Sequence, residues 1–192
     1  MNASLSYKEW HHPLARDGQT LREVHEGMSR VGADKQDIPL MIQLVENPKY
    51  RIPGFTLFHG AVDLQQHDYI HIVLGSGLLE MDEAFTIGFT MGSTKKVTTT
   101  EERLFSLIAQ RLYPKVYQFG PQALEVFKDA VRLGYISDCT PLDRIDFKPH
   151  LDLPLREIRE RVGLEVDLLR AYYEIEAKRY PDSEASRRLL GA

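Results

Sequence analysis

Apolar residues recur at spacings of three and four along most of this chain, and Pro or Gly interrupts them every few turns. That pattern constrains the fold more than any other feature, because it suits a packed set of short helices and leaves little room for a sheet. Residues 20–31 form the first segment, with Leu21, Val24, Met28 and Val31 on one stripe. Asp37 can cap a second, which Pro48 ends, and residues 48–60 carry two prolines and two glycines, as a loop does. A helix pair is expected over 62–92, running from Val62 to Leu74 and from Leu78 to Met91, with Gly75-Ser76-Gly77 between. Thr98 to Thr100, then Glu101 and Glu102, start another helix, whose Leu104, Leu107, Ile108 and Leu112 face one way until Pro114. A helix over Pro121–Leu133 stops at Gly134, and residues 135–154 read as irregular. Segments 155–162 and 166–180 and a turn or two in 183–190 complete the series. Phe55–Phe58 is the best, and a weak, strand candidate. The expected fold is all-α, a single-domain helical bundle over residues 1–192 with about seven or eight helices.

Composition narrows the function classes. The 24 basic and 28 acidic residues give a net charge of -4, so there is no strong positive field for nucleic acid. The single cysteine, Cys139, excludes an internal disulfide and a cysteine-based zinc site, and seven histidines remain as the nitrogen donors. No apolar run approaches the roughly 18 residues of a spanning helix, and the N-terminus lacks a secretory signal. A cytoplasmic location is expected. The pairs Lys95-Lys96 and Arg187-Arg188 could touch lipid headgroups at a membrane periphery, although pairs of this size usually just solvate a surface.

The stretch Gln66-His67-Asp68-Tyr69-Ile70-His71 carries the chemistry. On a helix, residues four apart share a face, so His67 and His71 can aim their imidazoles at one point, as paired ligands of a divalent ion do. A third ligand has to come from elsewhere. If Gly75-Ser76-Gly77 reverses the chain, His71 (six residues before Gly77) and Glu83 (six after it) stand at similar height. Glu80, one turn nearer the bend, competes with Glu83 for the position. Asp68 lies about 100° round from His67 and is either a fourth ligand or a carboxylate that orients an imidazole. The bland alternative is a pair of core or solvated histidines, which the nearby carboxylates make less economical.

His67-Asp68-x-x-His71, then eleven residues, then Glu83 resembles the signature of the coenzyme Q (ubiquinone) biosynthesis family, the fourth type of Coq protein. Leu74-Gly75 agrees with it too, and Leu155-Arg156 running into Val162-Gly163 does so more loosely. The likeness covers about residues 60–130, with an echo near 155–165. It implies an all-helical fold and a divalent-metal site, zinc or a similar ion, held by His67, Asp68, His71 and Glu83. It further implies ubiquinone synthesis, by oxidative removal of the ring carboxylate from a polyprenylated precursor, and a role in organising biosynthetic enzymes at a membrane surface. Asp68 or Glu83 is the candidate catalytic proton-transfer group if one of them is not a ligand.

Other features have bland readings beside the functional ones. Gly88 and Gly92 could admit a lipid tail or a flat ring, but small residues four apart more often let another helix approach. His11-His12 reads as a surface pair, His25 and His150 as structural, and His59 as either a visitor to the site or a loop residue that caps a helix. Tyr172 and Tyr173 read as packing residues, and an apolar face could support a homodimer. Two other functions compete: a non-catalytic lipid-binding scaffold whose metal ties two helices together, and a His-Asp metal phosphohydrolase drawing on His25 and Asp129.

Overall fold

A computed structural model of the protein describes residues 9–30, 58–111, 113 and 118–188. Among them are eight α-helices and no strand, with two isolated bridges, His11–Gly77 and Thr20–Pro154. The helices are α1 (Leu21–Ser29), α2 (Leu64–Leu74), α3 (Glu80–Ser93), α4 (Thr99–Arg111), α5 (Pro121–Ile136), α6 (Leu155–Arg161), α7 (Val166–Arg179) and α8 (Glu184–Arg188). The irregular stretch between α5 and α6 holds two 3₁₀ turns, Leu142–Arg144 and Lys148–His150. The helix that Asp37 would cap lies outside the described residues, as do positions 55–57 of the strand candidate, while Phe58 sits in a bend.

Local chemistry sets the helix starts. Thr20 accepts the Glu23 N–H at 3.2 Å while the Glu23 carboxylate accepts the Thr20 N–H at 2.9 Å, a capping box. Thr98 and Glu101 repeat it at α4, at 3.2 and 2.9 Å. Asp63 caps α2 by accepting from Gln66 N–H at 2.8 Å, and Gly75, at φ +70°, ends that helix in the left-handed conformation glycine favours.

The axis of the core is the pair α3 and α5, the most extensive helix contact in the described fold. Gly88 and Gly92 lie against the Phe127 and Val131 carbonyls, and Gly134 lies against the Phe89 carbonyl, so a methyl at any of them would collide with backbone. Close helix approach is therefore what the small residues do. The same contact corrects the expected stop at Gly134, since α5 continues through it to Ile136 and uses the glycine for packing.

The stripe expected on α4 is also corrected. Phe105, Ile108 and Ala109 are buried, whereas Leu104 and Leu107 are exposed. The sequence holds two overlapping stripes, and the helix turns inward the one that stacks the Phe105 ring on Phe127, centroids 4.9 Å apart.

The C-terminal end of α2 is held by two buried side chains from distant helices. Arg159 of α6 donates from Nε to the Val73 carbonyl at 2.9 Å, from Nη1 to Leu14 at 3.0 Å and from Nη2 to Ile72 at 3.3 Å. Tyr173 of α7 donates its hydroxyl to the Leu74 carbonyl at 2.9 Å. The Ile72, Val73 and Leu74 carbonyls are at the negative end of α2, where a buried cation is favourable, and the Leu14 carbonyl ties the N-terminal segment to the same guanidinium. Burial nonetheless lowers the Arg159 pKa to about 10. The N-terminal segment crosses the turn after α2, with His12 N–H donating to the Ser76 carbonyl at 3.1 Å. His12 is buried, not a surface residue: its backbone is tied to the turn after α2 and its Nε2 bonds the Arg16 carbonyl at 2.6 Å.

Candidate metal centre

His67 and His71 stand one turn apart on α2, their rings 4.6 Å apart between centroids and steeply inclined at 72°. Their Nε2 atoms are 3.0 Å from each other. Glu83, in the first turn of α3, places Oε2 at 3.0 Å from His67 Nε2 and Oε1 at 3.3 Å from His71 Nε2. Glu83 thus reaches both histidines across the turn Gly75-Ser76-Gly77, and the positive end of α3 favours an anion at Glu83. The three ligand atoms lie within 4.8 Å of one another, a group that could hold a metal ion.

His71 is fully buried, and the partners of its other nitrogen fix what Nε2 can do. Nδ1 lies 3.0 Å from Ser76 Oγ and 3.2 Å from Thr86 Oγ1. Ser76 donates its hydroxyl proton to the His71 carbonyl at 3.2 Å, so its oxygen accepts from Nδ1–H. With the proton on Nδ1, His71 turns a lone pair toward His67 and Glu83. One proton on His67 Nε2 cannot serve both of those neighbours, whereas one cation shared by all three atoms satisfies every contact. The donor set therefore fits a divalent ion. Two imidazoles and one carboxylate are also the pattern of sites that keep a further coordination position open.

Burial pushes the Glu83 pKa up, but positive charge at His71 and His67 outweighs it and holds the carboxyl well below the ordinary range. A cation shared by the three atoms would supply that charge when both imidazoles are neutral. Glu83 is an anion at neutral pH.

Glu80 is engaged elsewhere: its Oε1 accepts the Gly120 N–H at the start of α5. Asp68, carried about 100° round the helix from His67, places Oδ2 at 3.5 Å from His25 Nε2 on α1, outside the three-residue group. The His25 ring in turn packs against Tyr69, centroids 4.7 Å apart. Asp129 pairs with Arg132 at 3.1 Å and Arg179 at 2.6 Å, and neither Asp129 nor His25 belongs to the three-residue group. His59 lines, with His67, a chamber of about 20 Å³. Lys95 bonds the Gly134, Tyr135 and Ser137 carbonyls at the end of α5, an internal use of its ammonium.

Ser76 and Thr86 went unassigned in the sequence. Ser76 stands between the two glycines of the turn and Thr86 three residues after Glu83, positions whose meaning depends on the hairpin being folded.

No family model, curated protein or solved structure matches the chain. Among the described residues no helix is long and apolar enough to cross a membrane.

Proposed function

We propose that this is a divalent-metal enzyme of the coenzyme Q biosynthesis type, with zinc as its ion and an aromatic or polyprenylated quinone precursor as its substrate. The observation that carries the metal reading is the convergence of His67 Nε2, His71 Nε2 and Glu83 on one point, with the His71 proton engaged on its far side. The motif spacing supports the substrate class. Contact with a membrane periphery, with partner enzymes or with a second copy of the chain belongs to the same proposal.

The residues divide the work. His67 and His71 bind, Ser76 and Thr86 orient His71, and Glu83 supplies the negative charge that completes the donor set. A divalent ion held there supplies Lewis acidity toward a ring hydroxyl or carboxylate. Oxidative loss of a ring carboxylate releases carbon dioxide and an electron pair, so an external oxidant such as dioxygen has to take part. The test is carbon dioxide release from a prenylated hydroxybenzoate by zinc-loaded protein in air. Glu83→Gln should lose that release while keeping its helical spectrum, and wild-type protein that releases none contradicts the substrate assignment.

One observation favours a second reading, a scaffold whose metal is structural. The chamber beside His67 holds little more than one water, far less than an aromatic ring. In that reading Glu83→Gln loosens the fold at the α2–α3 hairpin and there is no activity to lose.

A further inference from the structure

The chamber beside His67 has a second histidine on its lining, and that histidine is held in an unusually defined way. His59 precedes Gly60, which adopts φ +84° and lies so close to α3 that a Cβ there would be 2.8 Å from Met91 Cα. The loop is therefore pressed onto the helix that carries Glu83. The Glu101 carboxylate fixes the ring: Oε1 accepts from His59 Nδ1 at 2.7 Å and from the His59 N–H at 3.2 Å. Its other oxygen accepts from the Thr98 N–H at 2.9 Å and hydroxyl at 3.0 Å, so the carboxylate cannot swing away. Burial opposes the charge on Glu101, but these four donors outweigh it and hold the group below the ordinary carboxylate range. A carboxylate accepting from Nδ1 keeps that nitrogen protonated, so the neutral ring of His59 is the tautomer that carries its lone pair on Nε2.

The rest of the lining is mainly apolar, from Phe58, Val62, Ile87, Met91 and Phe105, with the Thr90 hydroxyl as a further polar group. Thr90 donates to the Thr86 carbonyl at 2.7 Å, which leaves its oxygen as an acceptor. A space of about 20 Å³ with three polar side chains on its wall suits one water or one small acidic group.

We propose that His59, oriented by Glu101, is the proton acceptor of this site and takes a proton from a small O–H or X–H acid held in the chamber beside His67. The bond from the acid to hydrogen breaks, the Nε2–H bond forms, and the resulting imidazolium is balanced by Glu101. Glu101 acts through His59 and is a positioning residue. The inference rests on the reading of His67, His71 and Glu83 as a metal centre.

Nitrogen-15 histidine NMR of the zinc-loaded full chain tests it, with His59→Gln used to assign the resonance. The expected spectrum has His59 protonated at Nδ1 and bare at Nε2, unmoved by zinc, while His67 and His71 shift on zinc addition. Hydrogen cyanide, supplied as cyanide at neutral pH, is the probe acid, little larger than water and deprotonated when it binds zinc. It should move His59 Nε2 to its protonated position. A proton already on Nε2, a zinc-induced shift of His59, or a His59 resonance indifferent to the probe overturns the proposal. No zinc response at His67 and His71 instead overturns the metal reading, and this inference with it. Glu101→Ala should lose the Nδ1–H tautomer, and its retention shows that Glu101 does not position the ring.

Discussion

The Nε2 atoms of His67 and His71 lie 3.0 Å apart, and the closeness follows from what holds His71 on its other side. Ser76 and Thr86 bracket its Nδ1 at 3.0 and 3.2 Å inside a fully buried pocket, so ring orientation and tautomer are set together. Partners of this kind typically contribute about 10- to 100-fold to metal affinity. The double variant Ser76→Ala, Thr86→Val should weaken zinc binding by about that factor in a chelator competition, with the stoichiometry kept. Affinity equal to wild type would show that the hydroxyls do not orient the ligand.

Arg159 anchors the far end of the same helix. Replacing it by Met keeps the apolar stem and leaves the Leu14, Ile72 and Val73 carbonyls without their guanidinium donor. Leaving such groups buried without that donor should cost about 3 kcal/mol in urea unfolding. It should also weaken zinc binding, because α2 carries two of the three ligands. A cost below about 0.5 kcal/mol, the usual size for a surface change, contradicts the anchoring role.

Gly92 tests the α3–α5 contact. Its hydrogen faces the Val131 carbonyl, and Ala at this position forces the helices apart. Destabilisation of about 1–3 kcal/mol is expected, even though Ala favours an isolated helix over Gly. A thermal midpoint equal to or above that of wild type would contradict the packing.

Glu176 gives the fold a pH dependence. The residue is buried on α7, accepts the Ser186 hydroxyl at 3.0 Å, and has its pKa raised to about 7, chiefly by burial and also by the charge of Asp82. Its folded pKa exceeds the unfolded value, so its contribution is fully present below about pH 4.5 and is lost as pH rises toward 7. Glu176→Gln should therefore match wild type near pH 4 and exceed it near pH 8, by up to about 3 kcal/mol. Urea unfolding at both pH values, in chelator, checks the sign, and an equal gain at both would contradict it.

Legibility in the sequence varied with the range of the interaction involved. The helix pair around Gly75-Ser76-Gly77 was readable because the turn chemistry and the i,i+4 histidines are local, and equal distance from the bend identified Glu83 as a candidate beside Glu80. Distinguishing the two needed α5, whose N-cap residue Gly120 donates its N–H to Glu80. Asp68 is adjacent to His67 in the motif, but the helical rotation directs it toward His25, a residue 43 positions earlier. Gly134 looked like a stop because nothing local shows that Phe89 will lie against it. The choice between the Leu104 and Phe105 stripes of α4 likewise depended on the ring of Phe127 in another helix.

Metal content tests the central claim most directly. Protein purified without chelator, and again after titration with zinc, should carry about one divalent ion per chain by elemental mass spectrometry. His71→Ala and Glu83→Ala should carry almost none, whereas Glu80→Ala, whose carboxylate serves α5, should keep the ion. Wild-type protein that holds no ion in either state, or His71→Ala that holds as much as wild type, would contradict the assignment of this site as a metal centre.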